Sequence, residues 1–152
     1  MTKKMDKSFK LKKATVSDYP EIMKVWESAV KATHHFLKPE DFEFYKHMGQ
    51  TKYLPAVDLY VLLIEKTIIG FIGVSGKHLE MLFIDADSRA KGYGKVLLNY
   101  AIRNLGITTL DVNEQNEQAL GFYKKMGFSI TGRSEKDAEG KDYPILHLEK
   151  IK

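Results

Sequence analysis

The chain has 152 residues, 43% of them hydrophobic and 29% charged, a balance that suits one soluble globular domain with its own core. It contains no cysteine, which excludes a disulfide framework, a thiolate nucleophile and a Cys-ligated zinc. The net charge of +4 comes from six lysines among the first 13 residues, so no nucleic-acid partner is expected, and the longest apolar run, Leu59 to Ile64, is too short to cross a membrane.

We read residues 1–152 as a single domain in the cytoplasm, with 1–7 as a flexible basic tail. Phe9 to Ala14 alternates and predicts a first strand. Ser17 or Asp18 is placed to cap a helix with Pro20 in its first turn, and Ile22, Val25, Trp26, Ala29 and Val30 recur at helical spacing along one buried face. A second helix is predicted from Pro39 to Met48, whose acids Glu40, Asp41 and Glu43 are read as an ordinary solvated face, with attraction of a cationic amine as the alternative. Leu59 to Ile64 and Ile68 to Val74 are β-rich runs joined by Glu65-Lys66-Thr67, the pattern of a hairpin, and a turn at Ser75-Gly76-Lys77 leads into a third strand, His78 to Ile84.

That strand ends just before Arg89-Ala90-Lys91-Gly92-Tyr93-Gly94, and a helix is predicted from Gly92 to Leu105. A glycine turn between a strand and a helix aims free N–H groups and the positive end of the helix dipole at one point, which makes an anion site. Gly92 and Gly94 lack Cβ and permit a close approach, while Arg89 and Lys91 supply charge. Neither G-x-x-x-x-G-K-S/T nor G-x-G-x-x-G is present, so the two common nucleotide loops are excluded. A strand at Thr108–Val112, a helix at Glu117–Met126 and strands at Phe128–Thr131 and Tyr143–Leu148 complete the chain. The order β-α-α-β-β-β-α-β-α-β-β describes an α/β domain, and the crossover from 78 to 112 makes its two strands parallel.

A second segment, Val112 to Phe128, narrows the reading. Arg89, Gly92 and Gly94 match Q/R-x-x-G-x-G/A, and Asn116, Ala119, Tyr123, Gly127 and Phe128 match N-x-x-A-x-x-x-Y-x-x-x-G-F. Together they resemble the GCN5-related N-acetyltransferase (GNAT) superfamily, strongly over residues 60–130 and only in element order over 1–58. From His78 to Glu139 the chain is similar to small bacterial acetyltransferases of the YjaB type. Ala90 stands where that superfamily often has glycine, which is harmless if its φ is negative.

The resemblance implies a mixed, mostly antiparallel sheet of six to seven strands with about four helices, splayed between the fourth and fifth strands. It implies acetyl-CoA as donor, an amine acceptor, no metal, and direct transfer through a ternary complex, in a monomer or a homodimer. A non-catalytic acyl-CoA-binding or regulatory domain on the same fold is the alternative. Coenzyme binding is assigned to Arg89, Ala90, Lys91, Gly92, Tyr93, Gly94 and Lys95, to backbone of Leu82, Phe83 and Ile84, and to Asn116, which on local sequence is equally a helix cap.

Tyr123 matches the family's tyrosine near the thioester sulfur and is the candidate acid, against plain packing of a helix face. Either His78 or Glu80 is the candidate base, since alternation sets His78, Glu80, Leu82 and Ile84 on one face. His34, Trp26 and Tyr143 are candidate walls of the acceptor pocket. His34 and His35 are adjacent on a helix and cannot face one ligand, so they make no zinc site.

Overall fold

A computed structural model describes residues 8–151; the proposed tail, 1–7, lies outside the described residues. Seven strands, β1 (Phe9–Lys13), β2 (Asp58–Ile64), β3 (Thr67–Ser75), β4 (His78–Ile84), β5 (Thr109–Asn113), β6 (Phe128–Ser134) and β7 (Ile145–Lys150), form one sheet in the order β1-β2-β3-β4-β5-β7-β6. Four helices join them: α1 (Tyr19–Thr33), α2 (Pro39–Met48), α3 (Tyr93–Leu105) and α4 (Glu117–Lys125). Every pairing is antiparallel except β4 with β5, which is parallel. No helix among the described residues is long and apolar enough to cross a membrane.

The sheet separates two cores. Leu62, Ile72, Leu79, Leu97, Leu98, Leu110, Leu146 and Leu148 pack on the α3 and α4 side, and Ile22, Val25, Val61 and Phe71 on the α1 side. The run Ile68–Val74 has no polar residue because β3 is buried on both faces. Gly70 and Gly73 keep it thin: a Cβ on either would fall 2.7 Å from Ile84 and 2.8 Å from Val57 respectively. Between α2 and β2, where no element is predicted, residues Gly49–Tyr53 form a wide π-type turn and Leu54–Ala56 a 3-10 turn.

The parallel contact places the site. Its register covers only His78↔Thr109 and Leu79↔Leu110, after which β4 and β5 diverge. Thr108 is held by Lys77 at 2.8 Å, so the strands are pinned at one end and open at the other. Met81 to Ile84 pair on one side with β3 and present their other backbone edge to a cleft. An unpaired edge is a template for a further extended segment.

Two expectations change. β6 runs on to Ser134 and β7 begins at Ile145, so Tyr143 and Pro144 lie in the loop before the last strand. The face shared by His78, Glu80, Leu82 and Ile84 does not exist. Gly73 pairs with Met81 and Val74 with Leu79, so Glu80 is an extra residue in a β-bulge. The bulge reverses the parity of all that follows: Leu79, Leu82 and Ile84 pack on the α3 side, whereas Met81 and Phe83 pack on the α1 side.

Candidate active site

The first site is the mouth of the splay, a cavity of about 380 Å³ with Leu82, Phe83, Ile84, Arg89, Ala90, Gly92, Tyr93, Gly94, Lys95, Asn116 and Tyr123 in its lining. Gly92 is the N-cap of α3 at φ +89°, a left-handed conformation that favours glycine. No side chain caps α3 and no acid occupies its first turn, so its N–H groups remain available to an anion. Arg89 Nη2 donates to Gln118 Oε1 at 2.8 Å, which ties the loop to α4 across the cleft. Lys91, within the loop, is exposed and is not among the residues that line the cavity.

Ala90 departs from the condition set above. Its φ is +62°, so a Cβ sits where the chain prefers glycine, and the loop carries local strain. Asn116 is a helix cap, its Oδ1 accepting from Ala119 N at 3.3 Å. The amide NH₂ of the same side chain is left to donate into the cavity.

Tyr123 is 7% exposed, packed edge-on against Phe128 at 6.3 Å and beside Phe122 at 5.3 Å. Its hydroxyl makes no hydrogen bond among the described residues, and burial pushes its pKa up, which keeps the proton on oxygen. A buried phenol with a free O–H at a cavity wall is an available proton donor.

The second cavity, about 440 Å³, lies on the other side of β4 and is lined by Trp26, His34, Tyr45, Tyr53, Glu80, Phe83, Asp137 and Tyr143 among others. Glu80, next to the α3-side Leu79, faces it, and the bulge brings Met81 to the same side. His78 lines neither cavity; its ring is held by Thr109 Oγ1 at 2.7 Å and Asp111 Oδ2 at 3.1 Å. The two cavities share two residues, His34 and Phe83.

His34 is oriented by its neighbour. Thr33 Oγ1 donates its one proton to Ala29 O at 2.8 Å, so His34 Nδ1, 2.7 Å from Oγ1, must donate in turn. The lone pair of the neutral ring is then on Nε2. Burial, reinforced by His35, lowers the His34 pKa to about 4. His35 is exposed, and the expected helical placement is not met: α1 ends at Thr33, His34 is its C-cap and His35 lies in the turn beyond.

Three tyrosines of this cavity hold carboxylates. Tyr143, 6% exposed, donates to Asp41 Oδ2 at 2.5 Å and accepts from Lys38 N at 3.1 Å. Tyr45 donates to Asp137, and Tyr53 donates to Glu139 at 2.6 Å. Asp41, predicted on a solvated face, is instead tied by Tyr143 and Lys141, which lower its pKa in that order. Trp26 stacks on Phe42 at 5.4 Å, so it is at once a core residue and a cavity wall.

Tyr45, Tyr53 and Asp137 were not among the predicted site residues. Of the three aromatics on α2 only Tyr45 lines the cavity, while Phe42 stacks on Trp26 and Phe44 lies under Lys141, and no local pattern marks Tyr53 or Asp137.

The comparisons agree with this geometry. Residues 23–144 match the family model of the acetyltransferase (GNAT) domain. The chain is 45% identical over 129 residues to the peptidyl-lysine N-acetyltransferase YjaB of Escherichia coli K12, covering 84% of this chain and 87% of that protein. The solution structure of apo-form YjaB from Escherichia coli superposes with a TM-score of 0.88 at 40% identity, over 95% of this chain and 98% of that one. The fold is shared with the PaiA N-acetyltransferase of Thermoplasma acidophilum in complex with coenzyme A, TM-score 0.75 at 22% identity, over 95% and 99% of the two chains. With its open β4 edge, uncapped α3 and matching motifs, this chain belongs to the GNAT family and is an acetyl-CoA-dependent N-acetyltransferase.

Proposed function

We propose that this chain, acting as one domain in the cytoplasm, moves an acetyl group directly from acetyl-CoA to the side-chain amine of a lysine within a peptide or protein. It works as a monomer or a homodimer and with no nucleic-acid partner. The observation that carries the reading is that two cavities, one beside an anion-binding helix start and one walled by aromatics and carboxylates, meet at His34 and Phe83. Acetyl-CoA supplies an activated thioester, and the residues fit it. The α3 N-terminus with Arg89 and Lys95 of the cavity lining, and Lys91 from the exposed loop, holds the pyrophosphate, Asn116 donates from its amide, and the free edge of Leu82, Phe83 and Ile84 takes the pantetheine amides.

A lysine side chain is a slender alkyl stem with a cationic head. Trp26, Tyr45 and Tyr53 offer ring faces to it, and Glu80 and Asp137 favour the ammonium. The amine must then lose a proton before it attacks. Glu80 takes it, directly or through water, because it lines the acceptor cavity, whereas His78 is engaged with Thr109 and Asp111. Tyr123 gives its proton to the departing thiolate, and a backbone N–H near Phe83 polarises the thioester carbonyl. With no cysteine in the chain, no acetyl-cysteine forms on the way.

The test is a panel of acceptors with acetyl-CoA, followed by thiol release: a lysine peptide, the same peptide with its ε-amines blocked, a peptide whose only amine is its N-terminus, and a polyamine. Turnover confined to free lysine side chains, located by mass spectrometry, is the expected result. Turnover that persists after ε-blocking, or that requires the polyamine, would refute the lysine assignment.

A further inference from the structure

Outside the two cavities, three neighbouring strands set a serine, a histidine and an aspartate in line. Leu110 and Val112 of β5 and Leu146 and Leu148 of β7 point to the α3 side, so Asp111 and His147, directly opposite each other in the register, stand on the other face. Gly132 of β6 also pairs with His147, and a Cβ there would sit in ordinary contact with its ring at 3.5 Å. Ser134 Oγ is 2.7 Å from His147 Nε2, and His147 Nδ1 is 2.6 Å from Asp111 Oδ1.

Proton counting fixes the roles. A carboxylate only accepts, so His147 Nδ1 carries hydrogen toward Asp111, and in the neutral ring Nε2 is free to accept from the Ser134 hydroxyl. The second Asp111 oxygen is held by His78 Nε2 at 3.1 Å, and His78 Nδ1 is in turn bonded to Thr109 Oγ1 at 2.7 Å. The carboxylate is therefore anchored on both oxygens, and every member stands on a strand. This is the nucleophile, base and orienter connectivity of serine hydrolysis, in which Nε2 faces the hydroxyl and Nδ1 the acid. Asp111, Ser134 and His147 line a cavity of about 480 Å³ that adjoins the acceptor cavity through Tyr45, Tyr53, Asp137 and Ile145 but does not reach His34 or Phe83, where the two acetyl-transfer cavities meet.

We propose that Ser134, His147 and Asp111 form a second catalytic site that hydrolyses small acyl esters, with Ser134 as the nucleophile. Ser134 Oγ bonds to the acyl carbon as its proton passes to His147 Nε2. The ester C–O bond breaks and His147 returns that proton to the leaving alkoxide. Water then gives a proton to His147 as its oxygen attacks the acyl-serine; the Oγ–C bond breaks, and the proton goes back to Ser134. The net change is ester plus water to acid plus alcohol. Water has access, because Asp111 and His147 are 41% and 39% exposed.

The test measures hydrolysis of p-nitrophenyl acetate and labelling by a fluorophosphonate probe in the full chain, compared with Ser134→Ala and His147→Gln. Acetyl transfer from acetyl-CoA to a lysine peptide serves as the control for folding. The expected outcome is ester turnover reduced on the order of a hundredfold in either variant. The fluorophosphonate adduct should map to Ser134 in the wild-type chain and vanish in His147→Gln, with acetyl transfer by Ser134→Ala unchanged. Equal ester turnover in the wild-type chain and Ser134→Ala, or labelling of Ser134 that is indifferent to His147→Gln, would overturn the proposal. So would an equal loss of acetyl transfer by Ser134→Ala.

Discussion

Gly94→Ala separates holding the fold from holding the coenzyme. Gly94 stands in the first turn of α3 with ordinary helical backbone, and a Cβ built on it meets only Phe122 Cζ, at 3.7 Å. The methyl group therefore costs nothing in packing, and alanine favours a helix by up to about 1 kcal/mol over glycine, less at a terminus. Stability should hold or rise, by no more than about 2–4 °C in Tm for a chain of this size. The coenzyme should feel the opposite, because Gly94 lines the cavity at the α3 N-terminus and a methyl there holds a phosphate away from the N–H groups. Hydrogen bonds to a charged group contribute about 1.5–3 kcal/mol each, so losing one weakens binding on the order of tenfold to a hundredfold. Urea unfolding reads the first quantity and calorimetric titration with coenzyme A the second. Unchanged affinity in a folded variant would refute the pyrophosphate assignment, and a marked loss of stability would refute the packing argument.

Ala90→Gly relieves the left-handed alanine at φ +62° and should stabilise the chain by about 1 kcal/mol in urea unfolding; a destabilised variant would show that the strain is not there. Tyr123→Phe keeps the ring and removes the free phenol, so kcat should fall by about a hundredfold with acetyl-CoA affinity kept, and unchanged kcat would exclude the acid role.

His34 gives a pH dependence. Its folded pKa is lowered to about 4 from 6.5, so the unfolded chain binds a proton in that window that the folded chain refuses. Stability from this group is complete above pH 6.5 and falls as pH drops toward 4, by about 2 kcal/mol between pH 7 and pH 5. Urea unfolding at both values should show a smaller difference in His34→Gln; an equal one would refute the linkage. Tyr143→Phe leaves Asp41 and Lys38 N without their phenol and should raise the acceptor KM while leaving acetyl-CoA binding intact. If both constants move together, Tyr143 supports the fold rather than the acceptor cavity.

By itself, the sequence determined the order of the elements, the glycine turn that leads into an uncapped helix start, and most of the residues that line the cavity beside it. These are local properties. A glycine turn between a strand and a helix acts within a few residues, and Asn116 and Tyr123 sit at fixed offsets along one helix. Only the tertiary structure decided the second cavity, on the α1 side of the sheet. One extra residue at Glu80 reversed the parity of β4, which alternation cannot foresee because a bulge is defined by the partner strand. Tyr45 reaches Asp137 across 92 positions of sequence, and Tyr143 reaches Asp41 across 102. Such pairs leave no period to read, so the second cavity became visible only when α2 and the loop before β7 were brought together in space.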